Sequence, residues 1–72
     1  MTSNLSLEEQ NRVLRTAEAA KFLGVTTRKL EADRHAGRGI PYIRIASNLV
    51  GYRFADLLQF IEERRVDHRA SA

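Results

Sequence analysis

Gly24 is the residue that most narrows what this chain can fold into. The segment Ala17-Glu18-Ala19-Ala20-Lys21-Phe22-Leu23 is built mostly from strong helix formers and runs straight into it. A glycine there fills the left-handed position that ends a helix without strain. Only Val25 separates it from Thr26 and Thr27, either of which can cap a new helix. Two helices joined so tightly can form a helix-turn-helix unit, although helix pairs joined by a glycine turn also occur in proteins that bind no DNA. Thr16 reads as the N-cap of the first helix, with Glu18 in its positive first turn. Ala19, Ala20 and Leu23 share one face, and the two small residues let a second helix approach closely. Val25 is expected to plug the turn from inside.

The second helix runs from Arg28 to Ala36 and stops at Gly37. Leu30 is its main core residue, with Ala32 and the stem of Arg34 adding coverage. The remainder (Thr27, Arg28, Lys29, Glu31, Asp33 and His35) is polar, so one face of this helix is free for something other than packing. After Gly37-Arg38-Gly39, Ile40 to Ala46 reads as a strand, Ser47-Asn48 as a turn and Leu49 to Arg53 as the returning strand of a hairpin. Ala55 to Arg65 is helical, with Phe54, Leu57, Leu58 and Ile61 at three- and four-residue spacing. Asp56 and Arg64-Arg65 sit at the ends where the helix dipole favours them. Phe22, Phe54 and Phe60 are expected in or near the core, and Tyr42 and Tyr52 to pack within the hairpin. Arg12 to Arg15 reads as a short extended segment, and Ser6-Leu7-Glu8-Glu9 fits a capping box for one helical turn.

The expected fold is therefore mainly α with a small β-hairpin. It is one domain over residues 12–66, with flexible tails at 1–11 and 67–72. With 72 residues, 43% of them apolar, and no cysteine, the chain must be held by one small core rather than by disulfides.

Charge is unevenly placed. Residues 28–53 carry Arg28, Lys29, Arg34, Arg38, Arg44 and Arg53 against Glu31 and Asp33, an excess of four positive charges, whereas the formal total for the chain is +3. Ten of the twelve bases are arginine, whose planar fork matches phosphate and guanine edges. A basic stretch on the polar second helix and the hairpin suits nucleic acid, and also an anionic membrane surface.

Several short motifs occur in a fixed order: Glu18-Ala19-Ala20-Lys21-Phe22-Leu23-Gly24-Val25-Thr26, Arg28-Lys29-Leu30, Ile40-Pro41-Tyr42-Ile43-Arg44-Ile45, Tyr52-Arg53 and Asp56-Leu57. In this the chain, over about residues 13–65, resembles the small MerR-like winged helix-turn-helix family, which includes excisionases and AlpA-like regulators of phages and integrative elements. The resemblance implies a recognition helix in the major groove and a hairpin wing on the backbone or minor groove. It also departs from the family pattern. Asp33 stands where an aromatic or aliphatic residue is frequent, Ala46 where glycine is, and Gly51 where a basic residue is. Asp33 can pair internally with Arg34 or Lys29, or read a cytosine amine.

The start of a recognition helix meets base edges. The expected contacts there are Thr26, Thr27, Arg28, Lys29, Glu31 and Ala32, with Arg28 placed to pair with guanine. Arg38, Arg44, Ser47, Asn48 and Arg53 are the expected phosphate or wing contacts; Lys29, too, reads better as a phosphate contact. The function so implied is sequence-specific binding of double-stranded DNA as an excisionase, which bends attachment-site DNA and directs an integrase of the tyrosine recombinase class toward excision. A small transcriptional regulator of a phage or integrative element would use the same surface, and a protein–protein adaptor could use the same fold. Self-association on DNA is expected to be head to tail.

Catalysis is not expected. His35 and His68 are 33 residues apart, Glu8-Glu9 and Glu62-Glu63 are adjacent pairs on different faces, and Gly37-Arg38-Gly39 lacks the rest of a phosphate loop. No cofactor or metal is implied. No run approaches the roughly 18 apolar residues of a membrane span. The start lacks the order of a signal peptide, so the expected location is the cytoplasm, on the nucleoid.

Overall fold

A computed structural model describes residues 5–66; the tail expected at 67–72 and residues 1–4 lie outside the described residues. The fold is α+β. It comprises α1 (Leu7–Gln10), β1 (Val13–Arg15), α2 (Thr16–Leu23), α3 (Thr27–His35), β2 (Ile43–Ala46), β3 (Leu49–Arg53) and α4 (Phe54–Glu63). Its antiparallel sheet has the order β1-β3-β2, so the expected hairpin is two strands of three. Leu14 pairs with Tyr52 across β1 and β3. The extended segment at Val13–Arg15 finds its partner nearly forty residues away, which local pattern does not reveal.

The helix ends follow from local chemistry. Ser6 and Glu9 form a reciprocal capping box at α1, the Glu9 amide donating to Ser6 Oγ at 3.1 Å and the Ser6 amide to the Glu9 carboxylate at 3.2 Å. At α2 the cap is Arg15 rather than Thr16: the Arg15 amide donates to Glu18 Oε1 at 3.2 Å, so the acid in the first turn does the capping that the threonine was expected to do. At the other end Gly24 is left-handed (φ 77°), and the Val25 amide donates to the Ala20 carbonyl at 3.0 Å. That bond closes the helix in a Schellman turn. Thr26 caps α3, its hydroxyl accepting from the Lys29 amide at 3.1 Å.

The core is Leu14, Ala19, Ala20, Leu30, Ile40, Tyr52 and Leu57, with Leu23, Val50, Phe54 and Phe60 packed around it. Several apolar expectations change. Val25 is 39% exposed and no plug; Leu30 is the residue that α3 buries, in the same core cluster as the two alanines. Ala32 is exposed and adds nothing to the core. Phe22 lies at the margin, its ring centroid 5.1 Å from that of Phe54 and the residue exposed. The strand expected from Ile40 begins at Ile43; Ile40 instead reaches inward from the loop, where Pro41 interrupts strand pairing. Tyr52 packs in the core, not merely within the hairpin, and Tyr42 is exposed. Ile61 is exposed, and α4 closes at Glu63, two residues before Arg65.

Gly51 explains itself by packing. It lies buried beneath Val13 and Ile45, where an added Cβ would overlap Val13 Cγ1 and come within 3.1 Å of Ile45 Cδ1. Any side chain at that position, basic or not, would have to displace Val13 and Ile45.

Candidate nucleic-acid interface

Helical periodicity sorts the side chains of α3 into three directions around Leu30, which points inward. Arg28, Ala32 and His35, at four- and three-residue steps, occupy the opposite, solvent side, and all three are exposed. Thr27, Glu31 and Arg34 turn toward the hairpin. Lys29 and Asp33 turn toward the loop that follows the helix.

The hairpin side is a shared surface. Thr27, Glu31 and Arg34 line a groove with Asn48 and Val50, and the start of α2 at Arg15 and Thr16 completes it. An adjoining groove runs from Arg34 and His35 to Arg44, Ser47 and Asn48. One arginine fixes this geometry: Arg34 Nη1 donates to Tyr52 Oη at 3.3 Å, and the same guanidinium lies 5.7 Å from the Tyr42 ring centroid. Arg34 thus ties α3 to the sheet and not to Asp33. At the hairpin tip, Arg44 Nη1 donates to the Ser47 carbonyl at 3.3 Å, holding the Ser47-Asn48 turn while the residue stays exposed.

Asp33 forms a different cluster. Lys29 Nζ lies 3.3 Å from Asp33 Oδ2 and Arg38 Nε 3.3 Å from Oδ1. Of the two internal partners expected for Asp33, Lys29 is present and Arg34 is not; Arg38 takes its place. Partial burial pushes the Asp33 carboxyl up, but the hydrogen bonds and charges of Lys29 and Arg38 outweigh this and hold it below the usual carboxylate range.

The eleven expected contact residues therefore fall into separate groups. Thr27, Glu31, Arg44, Ser47 and Asn48 line the α3–hairpin grooves, and Arg28 and Ala32 are exposed on the neighbouring solvent face of α3. Thr26 is next to them, with its oxygen engaged in the cap and its hydroxyl proton left to donate. Lys29 and Arg38 flank Asp33. Arg53 is at the far end of β3, its Nε 4.0 Å from Asp56 Oδ2, and does not join the rest. Sequence reasoning left out Arg34 and His35. The spacing that could have found His35 is its position seven residues after Arg28, two turns along one face. Arg28 alone among these cations makes neither an ion pair nor a side-chain hydrogen bond among the described residues.

Among the described residues no three of His, Asp and Glu gather as a metal site requires, and no helix is long and apolar enough to cross a membrane. No protein-family model matches the chain, no curated protein is similar to it at a meaningful level, and no solved structure matches it.

Proposed function

We propose that this chain is a winged helix-turn-helix protein that binds double-stranded DNA in a sequence-specific way, with α3 in the major groove and the β2–β3 hairpin against the backbone. The observation that carries the reading is that Thr27, Glu31, Arg34 and His35 of α3 line two adjoining grooves with the Ser47-Asn48 tip, while Arg28 stands exposed on the neighbouring solvent face of the same helix. An α-helix fits the major groove, and the residues near its N-terminus meet base edges there. Arg28 is unpaired in the sense given above and solvent-facing, so its fork is free for the O6 and N7 of guanine. Arg44, at the tip, supplies a phosphate contact, and Asn48 a hydrogen bond to the backbone. Arg34 positions the helix relative to the hairpin.

The role of excisionase rests on the motif resemblance in the sequence, and a transcriptional regulator would use the same surface. Footprinting on the DNA that flanks the gene, followed by an excision assay with a neighbouring tyrosine recombinase, tests both levels. Protection of a discrete site with stimulated excision is the expected result. Protection without stimulation leaves the regulator. Absence of salt-sensitive binding to any duplex overturns the DNA-binding reading and favours a protein–protein adaptor.

A further inference from the structure

The Lys29–Asp33–Arg38 cluster does more than close the end of a helix. The Asp33 side chain is only 14% exposed, whereas those of Lys29 and Arg38 are 60% and 72% exposed. The carboxylate is thus fixed at the centre and the two cations lie outside it. The loop is folded onto it: the Arg38 amide donates to the Asp33 carbonyl at 2.9 Å, and Gly39 (φ 92°) passes so close that an added Cβ would be 3.0 Å from Asp33 Cβ. Arg38 therefore approaches Asp33 through both its backbone and its guanidinium. Exposed ion pairs are individually weak, so neither cation is out of reach of a phosphate. A phosphate that approaches either one must nevertheless compete with a carboxylate already in place.

We propose that Asp33 is a positioning residue that restrains Lys29 and Arg38 and so lowers the protein's attraction for the DNA backbone. The inference rests on the duplex-binding reading above. The cluster carries one net positive charge instead of two, and its cations are held to the protein instead of being spread toward phosphate. Binding energy is thereby shifted from contacts that any duplex offers to the face that carries Arg28. Asp33 itself touches no DNA in this scheme.

The test compares wild type with Asp33→Asn and Glu62→Gln by fluorescence anisotropy on a random-sequence duplex across a salt series. Glu62 lies on α4 and pairs with Arg65 at 3.7 Å, so its loss changes the net charge equally and likewise frees one arginine, but on α4 rather than beside α3. Asp33→Asn is expected to tighten binding about fivefold near 0.1 M salt and to steepen the slope of log K against log salt by about one, the signature of one added phosphate contact. Glu62→Gln is expected to leave the slope unchanged. An equal gain in both variants assigns the effect to total charge and overturns the proposal, as does an unchanged slope in a folded Asp33→Asn protein. Should that variant unfold on a thermal melt, Lys29→Ala and Arg38→Ala decide it, since both side chains are exposed ends. Each is expected to cost less than about twofold in affinity; a loss near tenfold with a slope lower by about one means the cation already binds phosphate freely, which overturns the proposal. No binding by wild type or any variant overturns the duplex reading instead, and is recognisable because no salt dependence exists to compare.

Discussion

At the scale of single residues, Gly51 and Asp33 are the most telling positions, because each is fixed by the side chains packed against it. Gly51 is small because Val13 and Ile45 converge over it. Gly51→Ala is expected to destabilise the fold by about 1–3 kcal/mol in urea unfolding, the usual cost of overpacking, with Val13→Ala in the same chain recovering part of the loss. An unchanged midpoint would mean that β1 shifts freely away from β3. Asp33 is the other. Its carboxyl is held below the ordinary value by Lys29 and Arg38, so it contributes stability above the unfolded pKa of about 3.9, and that contribution fades as pH falls through the lowered folded value. The melting difference between wild type and Asp33→Asn should accordingly be constant from pH 7 to about 5 and shrink below about 4. Arg28 carries the functional prediction. Arg28→Ala should weaken binding to the target by about 1–3 kcal/mol and to random duplex far less, measured at one salt concentration. Equal losses on both would make Arg28 a phosphate contact.

At the scale of elements, what could be read in the sequence is what local chemistry decides. Gly24, Thr26 and the acids in the first turns set helix ends within a residue or two, because caps are made by neighbours in the chain. The hairpin turn at Ser47-Asn48 and the returning strand at Leu49–Arg53 were equally legible. The extended segment at Val13–Arg15 was legible too, but its pairing with β3 was not, being a contact nearly forty residues away. Nor was the inward turn of Ile40, which looks like strand sequence but is held by the loop around Gly39. The candidate surface divides in the same manner: Thr27, Arg28 and Glu31 follow from helical spacing, whereas the pairing of Arg38 with Asp33 and the distance of Arg53 from the tip are tertiary facts. At this scale the hairpin is expected to act as a sequence-blind clamp. Arg44→Ala should lower affinity for every duplex alike and flatten the salt slope by about one; an unchanged slope would remove the hairpin tip from the interface.

At the scale of the whole molecule, binding and stability are linked through a small core. Among the described residues only Tyr52 and Leu57 are large side chains almost wholly removed from water, and Leu57 is the buried residue of α4. A chain of 72 residues has a total stability of only about 4–11 kcal/mol. Leu57→Ala, at about 2–5 kcal/mol, would consume much of that, and the variant should be substantially unfolded at 37 °C by far-ultraviolet circular dichroism. DNA that binds only the folded form stabilises it by about 2.7 kcal/mol at a hundredfold excess over Kd. Because Leu57 lies in the core, away from the α3–hairpin surface, its truncation leaves the binding residues themselves intact. Target duplex should therefore restore helical signal to Leu57→Ala, and random duplex should restore it less at the same concentration. Recovery that is equal for both duplexes would show that α3 does not read bases. Failure to recover at any concentration, in a variant that still unfolds reversibly, would show that the folded form offers no surface that duplex DNA prefers.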